Sequence, residues 1–197
     1  MFSYIHPYAI LSIVSVLITL IASITAWRQP APGARALSLL LLSMAIWSGC
    51  YATRWLDISV EAKIFWFRMM FLGVASIPTL FLVFALGFTR NESWLTSRNL
   101  ILLSLQPVLS LIIQWTNPYH HLLFEHIALS QGHLEISKSG FSIAFNIFCY
   151  LIVAVCFFYL FVYLQRVRPE LRLPGILLLL CSCIPLLTEV TKSAYPD

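Results

Sequence analysis

The side chains with chemistry to offer are few, and most sit where lipid would make them costly. Arg54, Arg68 and Glu189 lie inside or at the edge of long apolar runs. A charge in such a place usually faces a cavity or a partner. Arg68 and Glu189 could form an ion pair, or Arg54 and Arg68 could jointly receive an anionic group through their planar guanidinium forks. The plainer alternative is that both arginines snorkel to the headgroups. Trp47, Tyr51 and Trp55 are spaced four apart and so share one helix face. That stripe, with Trp66 close by, suits either helix packing or the wall of a ligand pocket. Gln106, Gln114 and Asn146 add polar groups within apolar runs, as glue between helices or as hydrogen-bond partners for a small ligand.

His120, His121 and His126 stand beside Glu125, with His133 and Glu135 following. Imidazole and carboxylate suit zinc or copper, but no recognised ligand spacing is present, and neither a metal nor a cofactor is expected. Imidazoles that titrate near neutrality or plain solvated side chains are the other readings of this cluster. Cys50, Cys149, Cys156, Cys181 and Cys183 all fall in apolar runs, where they read as small packing residues. Glycine-rich phosphate loops, an HExxH pair and a serine or cysteine nucleophile with an evident base are all missing from the sequence. No catalytic role is expected of this segment.

The elements that must position these residues are set by composition. Charged residues are 10% of the 197 and the apolar set is 60%, with a mean hydropathy of +0.87. A soluble fold of this length could not hide so much apolar surface, so the solvent is a lipid bilayer. Met1 to Pro7 carries no positive charge, and the apolar run after it is too long for a cleavable signal. Six stretches approach the length a span requires, at 8–26, 37–55, 64–88, 100–115, 141–164 and 174–187. Pro78 predicts a kink or tilt in the third. Pro107 and Pro185 fall in the short fourth and sixth, where neighbouring helices can take up the freed carbonyls. The one sizeable loop, 116–140, alternates loosely around Ser130-Gln131-Gly132, as a β-hairpin would.

Arg28, Arg35, Arg90, Arg98, Arg166, Arg168 and Arg172 fall in the connections on one side, and Lys63, Lys138 and Lys192 on the other. The positive-inside rule makes the arginine side cytoplasmic. The N-terminus, Asp197, the loop 116–140 and all five histidines are then outside. The net charge of +4 reflects this topology, and no nucleic-acid partner is expected. The expected fold is an all-α integral membrane bundle of six helices with its N-terminus outside.

The order of scattered positions carries a resemblance. Trp47, Tyr51, Lys63-Ile64-Phe65-Trp66, Arg68, Gly73 and Pro78 resemble the N-terminal seven-transmembrane sensor region of bacterial histidine kinases, also found on diguanylate cyclases. Pro107, Thr116-Asn117-Pro118, His120, His121, Pro185 and Tyr195-Pro196-Asp197 continue the likeness across nearly the whole chain. The resemblance implies a multi-pass sensor domain of the bacterial inner membrane. It also implies a homodimer, joined in cis to a cytoplasmic output domain and responding to an unknown small-molecule or membrane ligand. Six helices that begin outside also end outside, so the resemblance implies a seventh helix after Asp197 to reach the output domain. On that reading Arg68, Glu189 and Arg54 are the polar contacts of the ligand, and Trp47, Tyr51 and Trp66 are its walls. A small transporter would instead need polar residues near the bilayer midplane. A membrane scaffold would leave every polar residue structural.

Overall fold

A computed structural model describes residues 7–56, 58–130 and 133–167. Five helices occupy them: α1 (Pro7–Trp27), α2 (Ala34–Ala52), α3 (Val60–Phe88), α4 (Ser97–His120) and α5 (Gly140–Arg166). All five are long and apolar enough to cross a membrane. The sixth expected stretch, 174–187, lies outside the described residues.

α3, α4 and α5 begin ahead of the apolar stretches that announce them, because polar caps fix their starts, while α2 ends at Ala52, short of the expected 55. Ser59, Thr96 and Ser139 each accept a hydrogen bond from a first-turn amide, of Ala62, Asn99 and Ser142 respectively. A 3-10 turn, Thr53–Trp55, tightens the chain after α2. α4 continues through Thr116 and Pro118 to His120, where His121 in the left-handed conformation (φ 51°) closes it and donates to the Asn117 carbonyl at 2.8 Å. At 1.5 Å per residue the 29 residues of α3 span about 43 Å against a hydrocarbon core of roughly 30 Å. A helix of that length must tilt or extend beyond the core.

α2 runs antiparallel to α1 and α3 antiparallel to α2, and α3 also packs against α4 and α5. The first contact is polar: the Ser23 and Ser38 hydroxyls each lie 2.8 Å from the other serine's carbonyl. The second is set by missing bulk. A Cβ on Gly73 would stand 2.4 Å from the Ser43 carbonyl oxygen and 2.9 Å from the Trp47 nitrogen. Only glycine lets α2 and α3 cross that closely. At the far end of the same pair, Gly33 (φ 77°) meets Gly87, where an added Cβ would come within 3.0 Å of the Gly33 Cα.

Between α3 and α4 a hydroxyl repairs a proline break. Pro107 has no N–H to give the Leu103 carbonyl. The Thr79 hydroxyl lies 3.3 Å from that carbonyl and 2.7 Å from Gln106 Oε1. Gln106, open in sequence to either role, acts here as an interhelical tie.

Between α4 and α5 lies an antiparallel hairpin, β1 (Phe124–Ser130) and β2 (His133–Lys138), paired from Phe124 with Lys138 to Ser130 with His133 and irregular at Glu125. The Gly33–Gly87 contact and the Phe88–Tyr163 ring pair (5.3 Å) gather the α1–α2 connection, the α3–α4 connection and the end of α5 at one end of the bundle. Arg28, Arg35, Arg90, Arg98 and Arg166 belong to that end. The hairpin and Lys63 belong to the other.

Candidate functional site

At the hairpin end, three elements are tied together through one short stretch of chain, 122–124. Asn117, 6% exposed, reaches it from the last turn of α4. Its Oδ1 accepts from the amides of Leu123 (2.8 Å) and Phe124 (3.2 Å), and its Nδ2 donates to the Phe124 carbonyl at 3.0 Å. From the other side, the Ser139 amide donates to the Leu123 carbonyl at 3.2 Å. The Ser139 hydroxyl donates to the Leu122 carbonyl while also capping α5. One asparagine and one serine thus join the hairpin-side ends of α4 and α5.

The same stretch is pressed onto α3 by aromatic packing. Phe124 meets Phe67 at 5.3 Å and Phe71 at 5.7 Å, both edge to face, and Phe67 meets Phe71 at 5.8 Å. Leu123, Ile64, Met70 and Ile113 complete the cluster. Beneath it Gln114 is 2% exposed and its Oε1 has no hydrogen-bond partner.

His120 is committed to this junction. Its Nδ1 accepts from the Leu122 amide at 3.0 Å, and its Nε2 lies 2.9 Å from the Thr116 hydroxyl. Among the described residues no group of three metal-ligating side chains converges.

Helical geometry separates the sequence-predicted contacts into two faces of α3. Gly73 marks the face against α2, and at 100° per residue Trp66 returns to it while Arg68 lies about 140° away. Arg68 therefore sits beside Ile64 and Phe71, on the hairpin side. It is half-buried, and among the described residues its guanidinium has no hydrogen bond or ion pair. Trp66 stands 40% exposed against the edge of Phe65, with rings 5.5 Å apart.

Trp47 lies at the close crossing with Gly73, and Tyr51, one turn further, is half-buried. The stripe divides above them, because the 3-10 turn swings Trp55 onto α1, its ring 5.0 Å from that of Tyr8. Arg54 lies in that turn, and Glu189 is outside the described residues. The structure thus does not bring Arg68 onto one wall with Trp47 and Trp66.

Sequence reasoning singled out neither Asn117 nor Ser139 for this junction. Signals existed: Asn117 precedes a proline, which marks turn initiation, and Ser139 stands just before an apolar run, as an N-cap does.

The family described as the N-terminal 7TM region of histidine kinase matches residues 11–194, nearly the whole chain. The protein belongs to that family. No curated protein and no solved structure matches. As a member of the histidine kinase 7TM region, the chain is a multi-pass membrane domain of the sensor part of such kinases, which is not itself catalytic.

Proposed function

We propose that this domain receives a signal at its hairpin end and passes it along α3 to a cytoplasmic kinase. One observation carries the reading: an unbroken line of contacts runs from the hairpin base to the helix crossing. Phe124 packs on Phe67 and Phe71 of α3, and half a turn on, Gly73 rests on the Trp47 backbone of α2. A ligand that displaced the hairpin base would change how α3 crosses α2. Two arrangements of a packed pair, biased by differential binding, are what a signalling switch requires.

The arginine-bearing end then faces the cytoplasm of a bacterial inner membrane, with the N-terminus and hairpin outside. The output domain that receives the signal lies on that arginine-bearing side. The working unit is a homodimer. Arg68 is the leading contact for an anionic group of the ligand, since it is partnerless among the described residues and flanks the hairpin base. Glu189 and Arg54 are further polar contacts, and Trp47, Tyr51 and Trp66 make the apolar walls on the α2 side of α3.

The test is a signalling assay on full-length kinase carrying Arg68→Ala, with Arg68→Lys beside it. Loss of response with unchanged expression supports the site, and partial rescue by lysine marks the charge as the element recognised. An unchanged response across stimuli removes Arg68 from it.

A further inference from the structure

The opposite end of the bundle holds a cavity that the sensing site does not use. It measures about 590 Å³ and lies where the α1–α2 connection meets the end of α3 and the start of the next connection. Arg28, Arg35, Gln29 and Trp27 form one side, and Val83 and Leu95 form the apolar floor. Among the described residues, neither arginine side chain has a hydrogen bond or an ion pair.

The start of α2 opens into the same space, since Gly33, Arg35 and Ala36 all line it. Gly33 caps this 19-residue helix without a side-chain hydrogen bond. Of the first-turn amides, Ala34 and Leu37 find backbone acceptors while those of Arg35 and Ala36 have none. Two exposed arginines and the open start of α2 thus line one concavity, a set of groups suited to a phosphate.

Glu92 also lines the cavity, and it narrows the choice of anion. Two arginines and one glutamate leave one net positive charge, which a phosphodiester balances singly. A free phosphate dianion would meet the carboxylate with excess charge. The depth points the same way. Trp27 and Trp94, on the helix end and turn that border the cavity, are 54% and 60% exposed, as aromatic residues at headgroup level are.

We infer that this cavity binds the phosphodiester headgroup of an anionic lipid, clamped by Arg28 and Arg35 at the start of α2. The site would make the α1–α2–α3 unit sensitive to the lipid composition of the leaflet at that end.

Thermal stabilisation of the detergent-purified protein tests this, with dioctanoyl phosphatidylglycerol titrated against dioctanoylglycerol, which has the same chains but no phosphate. Phosphatidylglycerol should stabilise the wild type and Arg98→Gln alike. The double variant R28Q/R35Q should need about tenfold more lipid, the loss of roughly one charge-assisted contact. If the double variant does not fold, Arg28→Gln and Arg35→Gln are used singly, each expected to weaken binding. Equal stabilisation by the two lipids, or equal response of R28Q/R35Q and wild type, would overturn the site. Stabilisation by inorganic phosphate but not by phosphatidylglycerol would overturn its assignment to lipid.

Discussion

Helices α1, α2 and α3 lie together because bulk is absent where they meet, whereas α4 and α5, each packed on α3, are joined to one another by bonds at one end. The first group has Gly73 in the groove at Ser43 and Trp47, Gly87 on Gly33, and the paired serines 23 and 38. Between α4 and α5 a cavity of about 370 Å³ opens, walled by Leu105, Leu109, Phe145 and Phe148 with Gln106 and Ser110. Their union lies in Asn117, the chain at 122–124 and Ser139. The difference teaches where a membrane bundle can be stiff and where it can move. Small residues bring backbones into van der Waals contact along a whole crossing, whereas a hydrogen-bonded clamp at one end restrains only that end.

The most severe challenge to the stiff half is Gly73→Leu. Its side chain would enter backbone, which cannot move aside as a rotamer can, so a loss of about 3 kcal/mol is expected. Equilibrium unfolding in mixed micelles measures it, and a near-neutral result would mean that α2 and α3 can separate freely. Asn117→Ala strikes the clamp. It leaves the Leu123 and Phe124 amides buried without acceptors, at about 2 kcal/mol. Hydrogen exchange should then rise at the hairpin base and the first turn of α5 while the α2–α3 crossing stays protected. Protection lost everywhere would erase the distinction between the halves.

Thr79→Val removes the tie from α3 to α4 and strands the Leu103 carbonyl, with an expected cost of about 1 kcal/mol. The same unfolding measurement should show it, and Thr79→Ser should recover most of the loss. Ser23→Ala is the mildest, at about 0.6 kcal/mol. Combined with Ser38→Ala it should fall short of additivity, because the two hydroxyls share one contact. Full additivity in that double-mutant cycle would show the serines acting independently.

Much of this architecture was legible before any coordinates. The stretches that became α1 to α5 declared themselves by apolar length, the hairpin by alternation around residues 130–132, and the arginines by falling in alternate connections. The repair of a proline-freed carbonyl was expected in kind, though not the residue, Thr79, that performs it. Contacts distant in sequence were hidden. Nothing local to Ser23 names Ser38, and nothing near Gly73 says that Trp47 will cross it.

The candidate site was read less completely. Four-residue spacing put Trp47, Tyr51 and Trp55 on one face, but a 3-10 turn advances about 120° per residue rather than 100°, and Trp55 left for α1. Arg68 stood out as a charge among apolar residues, yet its face of α3 became definable only once Gly73 fixed the other. Asn117 looked like a loop residue because the apolar run stops at Trp115, yet the helix runs on past it to the left-handed His121.

The clamp of Asn117 and Ser139 would also serve as a hinge pin for α5, whose other half is seated on α3 through the Phe81–Phe157 and Phe88–Tyr163 ring pairs. α5 has 27 residues and so reaches about 40 Å from that pin, while a cavity rather than a packed seam separates it from α4. A swing of about 3° at the pin carries the far end of α5 sideways by about 2 Å, the scale of shift by which packed helices switch partners. The arm ends at Arg166, so a small displacement at the hairpin would reach the arginine-bearing face as a shift of α5 against α3.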